Sequence, residues 1–131
     1  MKNINRRQFT KKASWLTGSA LLSSAAPVNY PVVHHVFFWL KNPQSVSDRD
    51  KLVAGVKTLA KIKSVRQLHV GIVAGTEKRD VVDQSWAVSE LIFFSDLAGQ
   101  ETYQSHPVHL EFIKNYSHLW DKVVVYDAQN V

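Results

Sequence analysis

A tyrosine and two histidines stand close together in the segment Tyr-Gln-Ser-His-Pro-Val-His, residues 103–109. An imidazole can take up or release a proton near neutral pH, and a phenol can donate a hydrogen bond to an oxygen that gains negative charge. The segment therefore allows three interpretations. It could hold an acid/base pair, a metal site, or only the capped start of a helix.

Pro107 determines how these side chains are arranged. Proline disfavours helical geometry at the preceding residue and suits the first position of a helix. His106 is therefore predicted to be an N-cap, and His109 the third residue of a new helix. Tyr103 lies six residues before His109, which on an unbroken helix would place the two side chains about 120° apart. The helix break is what allows Tyr103 and His109 to converge.

His109 begins an apolar stripe on this helix. The residues that follow it at helical spacing are Phe112, Ile113, Tyr116 and Trp120. We expect His109 to point inward and His118, on the polar face, to be exposed. Burial and the positive end of the helix dipole both favour a neutral imidazole, which can act as a general base. The alternatives are a core histidine bonded to backbone and a tyrosine that only packs between helices.

A metal site receives the least support from the sequence. His106 and His109 are separated by a proline and differ in predicted exposure, and no nearby cysteine or carboxylate completes a ligand set. His34 and His35 are neighbours on a predicted strand and point to opposite faces, so only one of them can enter a cavity. A site built from His34, His69 and His109 is conceivable, but their spacing does not indicate one. No metal and no cofactor are predicted.

The elements that must position these residues follow the order β-α-β-β-α-β. Runs of β-branched and aromatic residues predict strands at residues 32–40, 65–73, 85–94 and 122–127. A first helix, capped by Ser47, is predicted to run to about Ile62. A second helical region is capped at Ser95 and Asp96, is interrupted by Pro107 and continues to about residue 121. This order is that of an α+β, ferredoxin-like sheet with both helices on one face.

Three of the predicted strands are apolar on both faces, as in Val-Phe-Phe-Trp-Leu at residues 36–40. A sheet that faces helices on one side and water on the other would alternate between apolar and polar residues. The second face is therefore predicted to pack against a second copy of the same sheet. The expected protein is a homodimer whose two sheets close around a shared interior as an α/β-barrel.

Residues 1–26 are predicted to be a cleavable signal peptide, and residues 27–131 the mature domain. The first segment has five basic residues and no acidic one, then a weakly apolar run and small residues, with cleavage fitting after Ala25 or Ala26. Within it, Asn-Arg-Arg-Gln-Phe-Thr-Lys at residues 5–11 resembles a twin-arginine export signal, with an ordinary secretory signal as the alternative. We expect a periplasmic or otherwise extracytoplasmic protein that meets the twin-arginine export machinery and keeps no stable membrane anchor.

The formal charge of +5 belongs to this segment, because the rest of the chain has eleven Lys plus Arg and eleven Asp plus Glu. Without a basic patch interleaved with aromatic residues, nucleic acid is excluded as an expected partner. The chain has no cysteine. An exported domain of this size must then be stabilised by its core or by oligomerisation, since no disulfide can form.

Three stretches of the sequence resemble the stress-responsive dimeric α/β-barrel family, often called Dabb. They are His-His-Val-Phe-Phe-Trp-Leu-Lys at residues 34–41, Tyr-x-x-His-Pro-x-His at residues 103–109 and Val-Tyr-Asp at residues 125–127. The resemblance spans residues 32–127. It implies a ferredoxin-like monomer that dimerises through its sheets into a barrel.

The same resemblance suggests a site. One branch of the family, a plant polyketide cyclase, uses the tyrosine and second histidine of the motif for an aldol-type ring closure, with the first-strand histidine nearby; by motif these are Tyr103, His109 and His34. That branch has a further histidine on its third strand, where this sequence has Val88. The expectation is a barrel cavity that binds a small, largely apolar molecule, with these three residues as its polar groups.

Whether the protein is an enzyme stays open at this point. A cofactor-independent cyclase, lyase or isomerase would use His109 as the base and Tyr103 as a hydrogen-bond donor to a developing oxyanion. The alternative is a non-catalytic, stress-protective structural protein, in which the same residues only hold the helix break against the first strand.

Overall fold

The structure, a computed structural model, describes residues 29–131 and consists of one antiparallel sheet with helices on one face. Its strands are β1 (Val32–Leu40), β2 (Gln67–Ile72), β3 (Val88–Phe94) and β4 (Trp120–Gln129), and their spatial order is β2-β3-β1-β4. Its helices are α1 (Val46–Lys57), α2 (Leu97–Ser105) and α3 (Pro107–Tyr116). The predicted ferredoxin-like fold is confirmed. The predicted signal peptide lies outside the described residues.

The two faces of the sheet follow from the alternation of side chains in β1. The even-numbered residues of β1 are buried and the odd-numbered residues are half-buried. The buried residues are Val32, His34, Val36, Phe38 and Leu40. We call the first set the inner face, because it packs against the helices, and the second the outer face. Leu52 and Val56 of α1 and Phe112 of α3 complete the core on the inner face. Among residues 29–131 no helix is both long enough and apolar enough to cross a membrane.

The outer face is aromatic and apolar, as the strand patterns predict. The Phe37 ring lies 4.2 Å from the His35 ring, 5.2 Å from Trp86 and 6.1 Å from Tyr126, measured between centroids. Tyr126 is 63% exposed. His35, Phe37 and Trp86 are half-buried in the single chain.

The start of α1 differs from the prediction. The N-cap is Ser45, whose hydroxyl accepts a hydrogen bond from the Asp48 backbone N–H at 3.1 Å, and Ser47 lies inside the first turn. An N-cap side chain accepts a hydrogen bond from the backbone N–H three residues later, and Ser45 makes this bond. The regular helix also ends at Lys57, and Thr58–Lys61 forms a 3₁₀ turn in which the Thr58 hydroxyl donates to the Gly55 carbonyl.

The bounds of β2, β3 and β4 also differ from the predicted ones, most clearly at the start of β3 and at both ends of β4. β3 begins at Val88 and not at Ser85, because the Asp83 carboxylate accepts hydrogen bonds from both the backbone N–H and the hydroxyl of Ser85. This turn sets Ser85 apart from the ladder, while Ala87 already donates its backbone N–H to the Phe38 carbonyl at 2.8 Å. β4 is longer than predicted and begins at Trp120, where the pairing with β1 shifts register at Trp39 and Leu40.

Candidate active site

A cavity of about 390 Å³ lies between the inner face of the sheet and helices α2 and α3. This volume is within the range of small-molecule sites. Most of the wall is apolar and is formed by Val36, Phe38, Phe112, Ile113, Trp120, Val123 and Val125. The polar groups on the wall are His34, Glu90, Tyr103, Gln104, His109 and Ser117. All three residues predicted for the site therefore line one cavity.

The position of the cavity corrects one expectation. A shared interior between two sheets would be lined by the outer face, but His34 belongs to the inner face and Tyr103 and His109 come from helices that cover it. The alternation of β1 puts His34 on the helix side and leaves His35 outside. Each chain therefore carries a complete cavity of its own.

The cavity opens between α3 and β4. Three apolar side chains of its wall are partly in solvent: Ile113 is 39% exposed, Val123 38% and Val125 45%. β4 is an edge strand of the sheet, so no further strand covers this side of its inner face. A ligand entering here would pass apolar side chains before it reached the polar groups.

Tyr103 lies at the inner end of the cavity on α2. It is only 1% exposed, and its hydroxyl donates a hydrogen bond to Glu90 Oε1 at 2.7 Å. Burial, followed by the neighbouring Glu90 carboxyl, raises the pKa of the Tyr103 phenol well above its usual value. The phenol therefore keeps its proton and can serve as a donor.

His109 reaches Tyr103 across the helix break. His106 is the N-cap of α3, with its Nδ1 accepting from the Val108 backbone N–H at 3.1 Å, and Pro107 is the first helical residue. The ring of His109 then lies 4.5 Å from the ring of Tyr103, between centroids. The residue predicted to point inward does so, and His118 is exposed.

The hydrogen bond of His109 determines which of its nitrogens is free. Its Nδ1 lies 3.0 Å from the Gln104 carbonyl oxygen, which can only accept, so Nδ1 carries the hydrogen and Nε2 has the lone pair. Burial lowers the pKa of the His109 imidazole, the Gln104 carbonyl opposes this, and the charge of His34 adds to the lowering. A neutral imidazole with an unprotonated Nε2 meets the requirement for a general base.

His34 is held by a residue on the neighbouring strand. His34 and Asp127 face each other in the β1–β4 ladder, and His34 Nδ1 lies 2.5 Å from Asp127 Oδ1. The His34 ring also packs edge-on against the Tyr103 ring at 5.5 Å. The carboxylate accepts the Nδ1 hydrogen and fixes the ring, and Nε2 has no hydrogen-bond partner among residues 29–131.

Glu90 was missed in the sequence. It lies opposite Val36 on β3, is 1% exposed and belongs to the wall of the cavity. Burial raises the pKa of its carboxyl, while the hydrogen bond from Tyr103 and the charge of His34 act in the opposite direction. The signal was present: Glu90 is in phase with Val88 and Ile92 in an otherwise apolar strand, which predicts an inward acid.

The other histidines do not join this cluster. His69 and His35 both face Leu91 in the β2–β3 and β1–β3 ladders and lie on the outer face, so the set of His34, His69 and His109 is not brought together. His106 is occupied as a helix cap. Among residues 29–131 no group of three His, Cys, Asp or Glu side chains is placed to hold a metal ion.

A second groove, of about 450 Å³, lies beside Trp39 and Trp86 near the start of α1. It is the larger of the two by volume. None of the residues predicted to carry chemistry lines this groove. His34, Glu90, Tyr103 and His109 line the other cavity. We therefore place the candidate site at the smaller cavity.

The comparison with protein families agrees with the fold and the motif. The family described as the stress responsive A/B barrel domain, Dabb, matches residues 32–130. The chain belongs to the Dabb family. No curated protein matches this Dabb chain in sequence.

Solved structures of other proteins share the fold of this Dabb domain. A hydroxynitrile lyase from Passiflora edulis is 22% identical, with 79% of this chain and 96% of that chain covered and a TM-score of 0.63. A Dabb family protein with a ferredoxin-like fold from Mesorhizobium loti is 22% identical, with coverages of 76% and 96% and a TM-score of 0.61. A dimeric ferredoxin-like protein of unknown function from Bacteroides fragilis is 21% identical, with coverages of 77% and 97% and a TM-score of 0.60. At these identities the likeness is one of fold.

Proposed function

We propose that this Dabb protein binds a small, largely apolar molecule with a carbonyl or hydroxyl group in the cavity, and acts on it as a cofactor-independent aldol-type lyase or cyclase. One observation carries the proposal: His34, Tyr103 and His109 converge on the polar end of an apolar cavity that is open to solvent. Carbon–carbon cleavage next to a hydroxyl-bearing carbon requires one base and one hydrogen-bond donor, and His109 and Tyr103 can supply these two groups.

The reaction would proceed on a β-hydroxy carbonyl compound as follows. His109 Nε2 removes the hydroxyl proton, the bond between the α and β carbons breaks, and its electron pair becomes an enolate. The enolate oxygen accepts a hydrogen bond from Tyr103, which lowers the energy of the charge that develops there. The His109 imidazolium then gives the proton to the α carbon. Two carbonyl compounds leave, and the reverse direction is an aldol addition or ring closure.

The Passiflora edulis protein supports the reaction class. Its name, hydroxynitrile lyase, describes carbon–carbon cleavage at a hydroxyl-bearing carbon. The structural match with this protein covers 79% of the present chain. Cleavage of that kind also needs a base for the hydroxyl proton. The substrate is not inferred from this protein, because 22% sequence identity indicates a shared fold and not a shared specificity.

Turnover of a panel of aromatic β-hydroxy ketones, measured as aldehyde release, tests the proposal. Native mass spectrometry of protein isolated from its own cells reports in parallel whether a ligand is retained. Wild type should release aldehyde, Tyr103→Phe and His109→Gln should lose about 10²–10³-fold in kcat, and His118→Gln, on the exposed side, should match wild type. A folded wild type that neither retains a ligand nor binds or cleaves any member of the panel would overturn the function.

A non-catalytic, stress-protective role is the second candidate. The same polar groups make structural bonds, since Tyr103 bonds Glu90 on β3 and His109 bonds the Gln104 carbonyl across the helix break. If this is their whole role, Tyr103→Phe and His109→Gln should lower the free energy of unfolding and leave binding of carbonyl compounds unchanged. If the enzyme proposal holds, turnover falls far more than stability.

We also propose that the protein is a homodimer joined through the outer face. Phe37 is half-buried in the single chain and the Tyr126 ring beside it is exposed, and proteins of the same fold are described as dimeric. Sedimentation at micromolar concentration should give two chains for wild type and one for Phe37→Glu. Leu110→Glu is the control, because Leu110 is 55% exposed on α3, away from the sheet. A wild type that sediments as one chain would contradict the dimer.

Export to an extracytoplasmic compartment through the twin-arginine route is the remaining proposal, and it rests on the sequence of residues 1–26. Replacement of both Arg6 and Arg7 by Lys should stop the protein from leaving the cytoplasm, as measured by cell fractionation. Continued export of the double variant would indicate the ordinary secretory route. Retention of wild type in the cytoplasm would contradict export.

A further inference from the structure

Tyr103 has a single hydroxyl hydrogen, and two groups compete for it. In the structure the hydroxyl donates to Glu90 Oε1 at 2.7 Å. The proposed reaction needs that same hydrogen for the enolate oxygen. A carboxylate at position 90 would be the stronger acceptor and would keep the hydrogen turned away from the cavity.

We infer that Glu90 is held as a neutral acid that donates its own proton to the Tyr103 oxygen, so that the Tyr103 hydrogen turns into the cavity toward a ligand oxygen. Glu90 is then a positioning residue for the donor. The effect of Glu90 on turnover rests on the proposed function. The protonation of the buried Glu90 carboxyl and its bond to Tyr103 do not depend on any reaction.

The surroundings of Glu90 carry the inference. Its side chain is 1% exposed, and among the described residues no lysine or arginine forms an ion pair with it. The residues paired with it in the sheet are Val36 on β1 and Val70 on β2. α1, which packs on β3, contributes Leu52, Gly55 and Val56 to the buried interior. An ionised carboxylate in such a place lacks both water and a fixed cation.

The titratable groups around Glu90 come from the other elements. Tyr103 of α2 bonds it directly, and His34 of β1 packs against the Tyr103 ring. His34 is itself bonded to Asp127 of β4, and His109 of α3 lies on the Tyr103 ring. A positive charge on His34 would favour ionised Glu90, but the Asp127 carboxylate bonded to His34 offsets part of that charge. Burial is the larger influence on the Glu90 carboxyl, and it raises the pKa.

The two protonation states predict different behaviour with pH. When Glu90 is neutral, Tyr103 is a free donor. When Glu90 ionises at higher pH, the Tyr103 hydrogen returns to the carboxylate and the ligand oxygen loses its donor. Glu90→Gln keeps the shape of the side chain and stays neutral at every pH. Its turnover should therefore lack the decline that we expect wild type to show toward alkaline pH.

Infrared difference spectroscopy tests the protonation directly. At neutral pH wild type should show the carbonyl stretch of one protonated carboxyl, because the exposed carboxylates are ionised. The band should be absent from Glu90→Gln and shifted in Tyr103→Phe. Its absence from wild type, or its persistence unchanged in both variants, would overturn the inference. Should Glu90→Gln fail to fold, the band in wild type and its shift in Tyr103→Phe decide alone.

Bound benzaldehyde then reports on the donor without any turnover. Its carbonyl stretch should be lowered by wild type at neutral pH, and the lowering should vanish in Tyr103→Phe. At alkaline pH wild type should lose the lowering and Glu90→Gln should keep it. A Glu90→Gln protein that binds benzaldehyde without the lowering at any pH would contradict the claim that a neutral side chain at position 90 frees the Tyr103 hydrogen. Failure of benzaldehyde to bind would count against the proposed function, while the carboxyl band still tests Glu90.

Discussion

The imidazole ring of His109 lies on the phenol ring of Tyr103 with centroids 4.5 Å apart and planes inclined by 41°. The two residues belong to different helices, because α2 ends at Ser105 and α3 begins at Pro107. Between them the backbone of His106 is extended, with φ −66° and ψ 138°. One extended residue turns the second helix enough for two side chains, six positions apart, to meet over the sheet.

Asp127 is predicted to support catalysis with little effect on stability. The carboxylate fixes the His34 ring at 2.5 Å, but its own side chain is 55% exposed, so it contributes little buried area. Asp127→Asn should lower kcat by about tenfold or more and leave the melting temperature close to that of wild type. Asp121→Asn, an exposed residue of the same strand, is the matched control. Equal activity of the two variants would show that His34 does not need its partner.

A larger side chain at the mouth of the cavity should weaken ligand binding. Val125 is 45% exposed and lies on the cavity wall, so Val125→Trp would narrow the entrance without filling the core. We expect KM to rise by about tenfold or more while kcat changes less, since only uniform binding is lost. Val81→Trp serves as the control, because Val81 is 84% exposed in the loop before β3. An unchanged KM would place the entrance elsewhere.

Gly55 is predicted to be required by the packing of α1 against α3. A Cβ built at Gly55 would stand 2.8 Å from the ring of Tyr116. Alanine favours a helix by about 1 kcal/mol over glycine, yet Gly55→Ala should lower the free energy of unfolding by about 1–3 kcal/mol through overpacking. Urea denaturation measures this. In the background Tyr116→Ala the same substitution should become neutral or stabilising; an equal loss in both backgrounds would rule out the ring as the cause.

Protonation of His109 should destabilise the folded protein as pH falls. Its pKa is lower in the folded protein than the ordinary value of 6.5, so below that value the unfolded chain takes up a proton more readily. The contribution of His109 to the free energy of unfolding is complete above the ordinary value and is lost as pH falls toward the lower folded pKa. Glu90, whose pKa is raised, acts in the opposite direction over the same range, so the test is a difference between variants. Between about pH 7.5 and pH 5 the urea midpoint of wild type should fall relative to that of His109→Gln.

His118→Gln is the control for that titration, because His118 is exposed, and the urea midpoint of this variant should follow that of wild type. His35 should add to the same acid destabilisation, because burial and the charges of His69 and His34 lower the pKa of its imidazole as well. A His109→Gln protein with the same pH dependence as wild type would show that His109 titrates alike in the folded and unfolded chain.

The parts of the site that depend on local rules could be predicted from the sequence. Proline next to histidine determines the cap at His106 and the inward direction of His109, because both follow from backbone geometry within one turn. The same kind of rule failed at α1, where the cap was predicted at Ser47 but Ser45, two residues earlier, accepts the hydrogen bond from the Asp48 backbone N–H.

The contacts that complete the site could not be predicted, because they join distant parts of the chain. Glu90 meets Tyr103 from 13 positions away, and Asp127 meets His34 from 93 positions away. Alternation showed that His34 and His35 face opposite sides, but it could not show which side the helices cover. The cavity was therefore expected between two sheets, whereas it lies between a sheet and its own helices.

The separation of the two faces of the sheet has a consequence for stoichiometry. Every polar group of the cavity comes from one chain, and the surface proposed for pairing is on the opposite side of β1. A pair of chains should therefore take up two ligand molecules with a single microscopic affinity and a Hill coefficient of about one. The second chain of the proposed dimer would stabilise the sheet, and each chain would bind its ligand independently.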